Sequence, residues 1–305
     1  MKIKLLTASV AAVLLAGCGS DSDPEVKTYS VQAYDPAVIN MNVVAICDGV
    51  PINAIERTTN YEDMVGQARF QDLRVVEAPE DCEFKLTPPT AESGVQAKDA
   101  SNGKVITTSY SIPKGLAEAG SMVTGSPFST LVAKTMEKEG QVYTPDIVKD
   151  VLVNMGFDQS TELNGLDFTE FLLDTESVIE RFGASDAALA TKFIATANVA
   201  SDVIAANPDA SPESISVAAK SITEEVIAKN PHYPKASAGS DDVIYVEISE
   251  EATKNVVEQV EKDIAEGKPV DQIKPTVPTI PEAKPGKPIK PEPQPGDGTG
   301  ATGGN

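Results

Sequence analysis

The residues best equipped for covalent or metal chemistry are three cysteines, Cys18, Cys47 and Cys82, and one histidine, His232. A thiolate can be acylated, oxidised to a disulfide or bound to a metal, and its surroundings decide which. Zinc needs further nitrogen or sulfur ligands close by, and neither Cys47 nor Cys82 has a histidine or third cysteine near it. His232 stands in Asn230-Pro231-His232-Tyr233-Pro234, a turn-rich connector. A Ser-His-Asp triad has to use that residue, yet no Gly-x-Ser-x-Gly elbow accompanies it, so His232 reads as a surface residue. No Walker loop, dinucleotide fingerprint or His-Glu-x-x-His pair occurs, and the sequence therefore calls for no cofactor and no metal.

Two acidic clusters invite chemistry and then withdraw it. Ser160-Thr161-Glu162-Leu163-Asn164-Gly165 offers oxygens at alternating positions with glycine sixth, as a calcium loop does. The twelfth position, however, is Phe171, where a bidentate glutamate is required. Asp174 with Glu176, or Asp241 with Asp242, has the composition of a glycosidase acid and base. With no tryptophan and only 5% aromatic residues to stack a sugar, a solvated acidic surface is the simpler reading. A formal net charge of −21 repels nucleic acid phosphate and anionic lipid, so DNA or RNA binding is excluded as a function class.

The third cysteine has its own context. Lys2 and Lys4 form a short basic region, Leu5 to Leu15 is an apolar run, and Leu15-Ala16-Gly17-Cys18 closes it with small residues before a thiol. The run is too short for a spanning helix, which needs about twenty apolar residues. These four residues resemble the lipobox of bacterial lipoproteins. The resemblance implies cleavage after Gly17, diacylglycerol on the Cys18 sulfur and an acyl chain, such as palmitate, on the new amino group, which together anchor the chain to a bilayer. Gly19, not Asp, follows the cysteine, and this implies sorting to the outer membrane, on its periplasmic or its surface face. Cleavage removes two lysines and no acids, so −21 becomes −23. Export places Cys47 and Cys82 in an oxidising space, where a disulfide is expected. Closing that loop contributes on the order of 3–4 kcal/mol through lost unfolded-state entropy.

The elements that must position these groups fall into zones. After a signal peptide over 1–17 and a polar tether over 18–27, residues 28–114 read as short strands. Tyr29-Ser30-Val31-Gln32-Ala33-Tyr34 alternates with period two, Val43-Val44-Ala45-Ile46 is a brief apolar run, and Asp35-Pro36, Asp48-Gly49 and Pro88-Pro89 supply turns. Ser101-Asn102-Gly103 between Val95-Gln96-Ala97 and Val105-Ile106-Thr107-Thr108 predicts a hairpin. This spacing predicts a small antiparallel β-sandwich pinned by Cys47 and Cys82. Residues 115–234 carry helical periodicity and predict an α-helical bundle. Ser126-Pro127, Thr144-Pro145 and Ser211-Pro212 each set a hydroxyl before proline at a helix start, and Ser185 is expected to open an alanine-rich helix reaching about Ala206. Residues 235–267 hold a strand at Val243–Ile248 and a helix capped by Ser249. Residues 268–305, rich in proline, lysine, glutamate and then glycine, are expected to be a disordered tail. The expected fold class is α+β.

Tyr34-Asp35-Pro36-Ala37-Val38, Cys47-Asp48-Gly49, the stretch from Thr59 to Gly66 with Phe70, and Ser126-Pro127-Phe128-Ser129-Thr130-Leu131 also form an ordered pattern. It resembles surface lipoproteins in which a transthyretin-like or carboxypeptidase-regulatory-like β-domain precedes a helical segment. The resemblance spans roughly residues 31 to 156 and implies an architecture and a cell-surface setting, without an activity. The expected function is a membrane-anchored, non-enzymatic interaction, adhesion or envelope-structural module, with the bilayer and an unidentified protein or matrix component as partners. A ligand-binding carrier and a carboxylate-based hydrolase are the alternatives. The first predicts an apolar pocket within the alanine-rich bundle, the second a converging pair of buried acids.

Overall fold

Along Asn42–Cys47 every second residue is buried, and Cys82–Thr87 repeats the alternation with Cys82, Phe84 and Leu86 inward. Two strands patterned in this way pair with their apolar faces on one side, which sets Val43 opposite Leu86, Ala45 opposite Phe84 and Cys47 opposite Cys82. The disulfide follows from that register, with the two Cα atoms 4.2 Å apart. The structure, a computed structural model, describes residues 27–294. The signal-like segment, Cys18 and residues 295–305 lie outside them.

Among the described residues the strands are β1 (Tyr29–Ala33), β2 (Val38–Ile39), β3 (Asn42–Cys47), β4 (Val50–Asn53), β5 (Gln67–Phe70), β6 (Cys82–Thr87), β7 (Lys98–Asp99), β8 (Tyr110–Ile112), β9 (Val123–Gly125), β10 (Ile244–Tyr245) and β11 (Lys284–Pro285). The helices are α1 (Leu73–Glu77), α2 (Pro127–Glu139), α3 (Pro145–Asn154), α4 (Phe168–Leu173), α5 (Thr175–Ser185), α6 (Ala187–Ala206), α7 (Pro212–Lys229) and α8 (Glu250–Ala265). The fold is mixed α+β, as expected. An antiparallel sheet runs β4-β3-β6-β8, and a second runs β5-β1-β9.

The expected β-sandwich standing ahead of a separate bundle is corrected by this arrangement. β1 pairs antiparallel with β5 but parallel with β9, which lies beyond residue 114 and leads straight into α2. Gly125, the last residue of β9, packs closely on the buried Leu86: a Cβ there would sit 2.5 Å from Leu86 Cδ1. Each sheet is too small to bury its apolar face alone, and the helices cover both. A single buried cluster consequently runs from Tyr29 and Phe84 through Phe128 and Phe193 to Ile248 and Ile280.

Helix α6 is the centre of that core. By length and composition it is apolar enough to cross a membrane, but 67% of it is buried inside the protein. Phe193 stacks on Phe157 with ring centroids 4.1 Å apart and also meets Phe182, Phe171 and Phe128. The hydroxyl caps of α2, α7 and α8 hold: Ser126, Ser211 and Ser249 accept from the amides of Ser129, Ser214 and Ala252. Thr144 precedes α3 without a side-chain cap bond. The start of α6 is corrected by one residue. Ser185 closes α5, its hydroxyl turned back on Arg181 O, while the Asp186 carboxylate accepts from Ala188 N and Leu189 N and makes a stronger, charge-assisted cap.

The disordered tail is also corrected, over 268–294. β11 pairs with β10, and the chain then donates from Gly286 N to Val243 O, Lys287 N to Asn102 O, Ile289 N to Ala100 O and Glu292 N to Asn60 O. Prolines alternate with these donors, so the missing amides fall where none is used, and fixed φ angles reduce the entropy lost on docking. The segment buries two of its own side chains, Ile273 and Ile280.

Candidate functional site

The strongest concentration of buried polar groups lies where β1, the 98–105 hairpin, β8, α6 and the 230–234 connector meet. Asp35 sits in the turn after β1 and is fully buried. Asn198 of α6 donates from Nδ2 to Asp35 Oδ1 at 2.7 Å and to its carbonyl at 3.0 Å. Tyr233 donates its hydroxyl to Asn198 Oδ1. The Tyr110 hydroxyl, at the start of β8, lies 3.1 Å from Asp35 Oδ2 and 3.0 Å from Ser201 Oγ. Ser201 Oγ donates to Thr108 Oγ1, and Thr108 donates to the Ser201 carbonyl.

The hairpin contributes the charged members. Asp99 in β7 accepts from Ser101 N at 2.7 Å and from Asn102 Nδ2, while Asn102 Oδ1 accepts from Lys104 N. These are the turn bonds that a Ser-Asn-Gly sequence favours. Lys104 is buried and pairs with Asp202 of α6 at 2.7 Å. Asp202 also accepts from Ile248 N, tying α6 to the segment before α8.

Burial sets the electrostatics of this junction. It pushes the Asp35 carboxyl up to about 6, against the pull of Lys104 and the bond from Asn198. It pushes Asp99 up to about 8, with Ser101 opposing and the Asp35 charge adding. Desolvation works against the Lys104 ammonium, but the combined fields of Asp202, Asp35 and Asp99 hold it above the ordinary lysine range. Asp202 is raised by burial and drawn back by Lys104. The Tyr110 and Tyr233 phenols are driven well up by burial and stay neutral. The cluster is closed to solvent except at one wall. There Lys104 and Asp202, with Thr107, Ala205, Glu247 and Glu250, line a cleft of about 270 Å³.

No protein family, curated protein or solved structure matches this chain. Its chemistry therefore rests on its own residues.

The residues weighed from the sequence are dispersed. Cys47 and Cys82 are joined as a disulfide. Cys18 lies outside the described residues. His232 is exposed in the connector. In the segment weighed for calcium, the oxygens are spent internally: Asp158 accepts from Ser160 and Thr161, which pull its carboxyl down to about 2, and Glu162 pairs with Lys192. Phe171 points into the aromatic core. Among the described residues no group of three or more His, Cys, Asp or Glu side chains is disposed to hold a metal. Asp174 caps α5 through Ser177 N, Glu176 accepts from Gln32, and Asp241 and Asp242 are exposed in the segment before β10. The alanine-rich face of α6, where a carrier needs a pocket, packs closely on α5 and α7. A shallow cleft of about 440 Å³ lies between α2, α3 and the start of α7, with Glu139, Asp146, Asp150 and Glu213 on its walls.

Sequence reasoning passed over Asp35, Asp99, Lys104, Asn198, Ser201, Asp202 and Tyr233 as a group. One signal was present. Asn198, Ser201 and Asp202 fall three and four apart in a largely apolar helix, which places polar atoms on a buried face where they need partners.

Proposed function

We propose that this chain is a lipid-anchored envelope protein of the outer membrane whose folded body acts as a non-enzymatic interaction module. The observation that carries the reading is the division of the cysteines. Cys47 and Cys82 consume each other in the body. Of three cysteines this leaves Cys18, within Leu15-Ala16-Gly17-Cys18, for a thioether to lipid. The body supports the second half of the proposal. The polar groups of its buried junction are committed to holding elements together, and its acidic surface favours partners that present positive charge.

Labelling with radioactive palmitate tests the anchor. The wild type takes up label and Cys18→Ser does not; label persisting on Cys18→Ser overturns it. In-cell crosslinking with mass spectrometry, together with protease shaving of intact cells, tests the interaction and reports which face the body occupies. A specific crosslinked partner is expected, and a body that crosslinks to nothing at native abundance contradicts the module reading.

A further inference from the structure

The hydrogens of the buried junction can be counted. Four oxygen–oxygen contacts run in series: Thr108 Oγ1 to the Ser201 carbonyl at 2.7 Å, Ser201 Oγ to Thr108 Oγ1 at 2.9 Å, Tyr110 Oη to Ser201 Oγ at 3.0 Å, and Tyr110 Oη to Asp35 Oδ2 at 3.1 Å. A carbonyl has no hydrogen, so Thr108 supplies the first bond. Its only hydroxyl hydrogen is then used, and Ser201 supplies the second. Tyr110 supplies the third by the same reasoning. Three hydroxyls are now exhausted and one contact is left, which the Asp35 carboxyl must supply. The other Asp35 oxygen accepts from Asn198, as a neutral acid can.

We propose that Asp35 is held as a neutral carboxylic acid, and that its proton makes the junction between β8, the β1–β2 turn and α6 an acid-stabilised lock. Loss of that proton to water leaves a carboxylate in a dry site and turns the Tyr110 hydroxyl toward it. The Tyr110–Ser201 contact is then left without a hydrogen, and α6 loosens against β8. Every element packed here presents a titratable group: Tyr34 beside Asp35, Asp99 and Lys104 from the hairpin, Tyr110 from β8, Asp202 from α6, Tyr233 from the connector, and Glu247 facing Asp202. Of the junction's three carboxyls, the buried Asp35 and Asp99 have neutral hydrogen-bond donors only, and Asp202 borders the cleft. Lys104 reaches hydrogen-bonding distance of Asp202.

A carboxyl whose folded pKa is raised binds its proton more tightly when folded, so stability is greatest in acid and falls as pH rises. Asp35→Asn places an amide where the acid stood. Its Nδ2–H donates to Tyr110 in the same geometry and cannot ionise. Urea unfolding of the disulfide-bonded body should show the wild-type folding constant falling relative to Asp35→Asn. The expected fall is about tenfold per pH unit between about pH 4 and about pH 6. Parallel pH profiles for the two proteins overturn the proposal. Independently of any variant folding, a carbon-13 NMR titration of the Asp35 carboxyl in the wild type should give a midpoint near 6. A midpoint in the ordinary aspartate range contradicts the lock.

Discussion

Two stretches of the same helix hold this molecule together by different physics. In its first half α6 presents Phe193 to four other aromatic rings. In its second half it presents Asn198, Ser201 and Asp202 to a ring of buried hydroxyls, carboxyls and one lysine. The aromatic end gains stability from removed apolar area, which is non-directional and indifferent to pH. The polar end gains little net energy per bond, but each of its groups is expensive to leave unpaired, so it specifies geometry and responds to protons. A helix of this kind seats the β-elements and the later helices on one core in a single orientation.

The sharpest way to separate the two ends is to damage each in turn. Phe193→Ala removes the shared ring and should cost about 3–5 kcal/mol, equally at every pH at which the protein is folded, as read by urea unfolding. Asn198→Ala strips Asp35 of a donor and leaves the Tyr233 hydroxyl without its acceptor. It should cost about 2–3 kcal/mol and, unlike the first, alter the pH profile. A pH-dependent loss in Phe193→Ala, or a pH-independent one in Asn198→Ala, breaks the contrast. Truncation after Lys268 tests a third means of attachment, backbone bonds with a few buried isoleucines. It should lower stability by about 1–2 kcal/mol, because burial of Ile273 and Ile280 is largely offset by the cost of ordering the strap. The smallest effect is expected at Val142, 80% exposed between α2 and α3, where alanine should change stability by less than about 0.5 kcal/mol.

The two ends also differ in how visible they are before folding. Apolar periodicity and hydroxyl caps are local signals that located α2, α3, α7 and α8; Ser-Asn-Gly turn chemistry located the hairpin around Asn102, and the expected oxidising compartment paired the two body cysteines. Asp35-Pro36 carries an equally local signal, a turn, and that turn exists. What makes Asp35 matter is the approach of Asn198, far along the chain, and no spacing rule reports such a meeting. β9 escaped notice because three residues that pair parallel with a strand 92 positions earlier leave no periodic trace, as in Val31 with Val123. The proline-rich strap was misread for a different reason. Its composition does exclude a core of its own, but a segment can dock on a core built by others when its few donors fall between the prolines.

The central claim is that the strands and helices form one cooperative unit through α6. Differential scanning calorimetry of the oxidised body, with Cys18→Ser to remove the proposed acylation site, tests this most directly. One transition is expected, with calorimetric and van't Hoff enthalpies that agree. Two resolved transitions, one of them unaffected by Phe193→Ala, would contradict it.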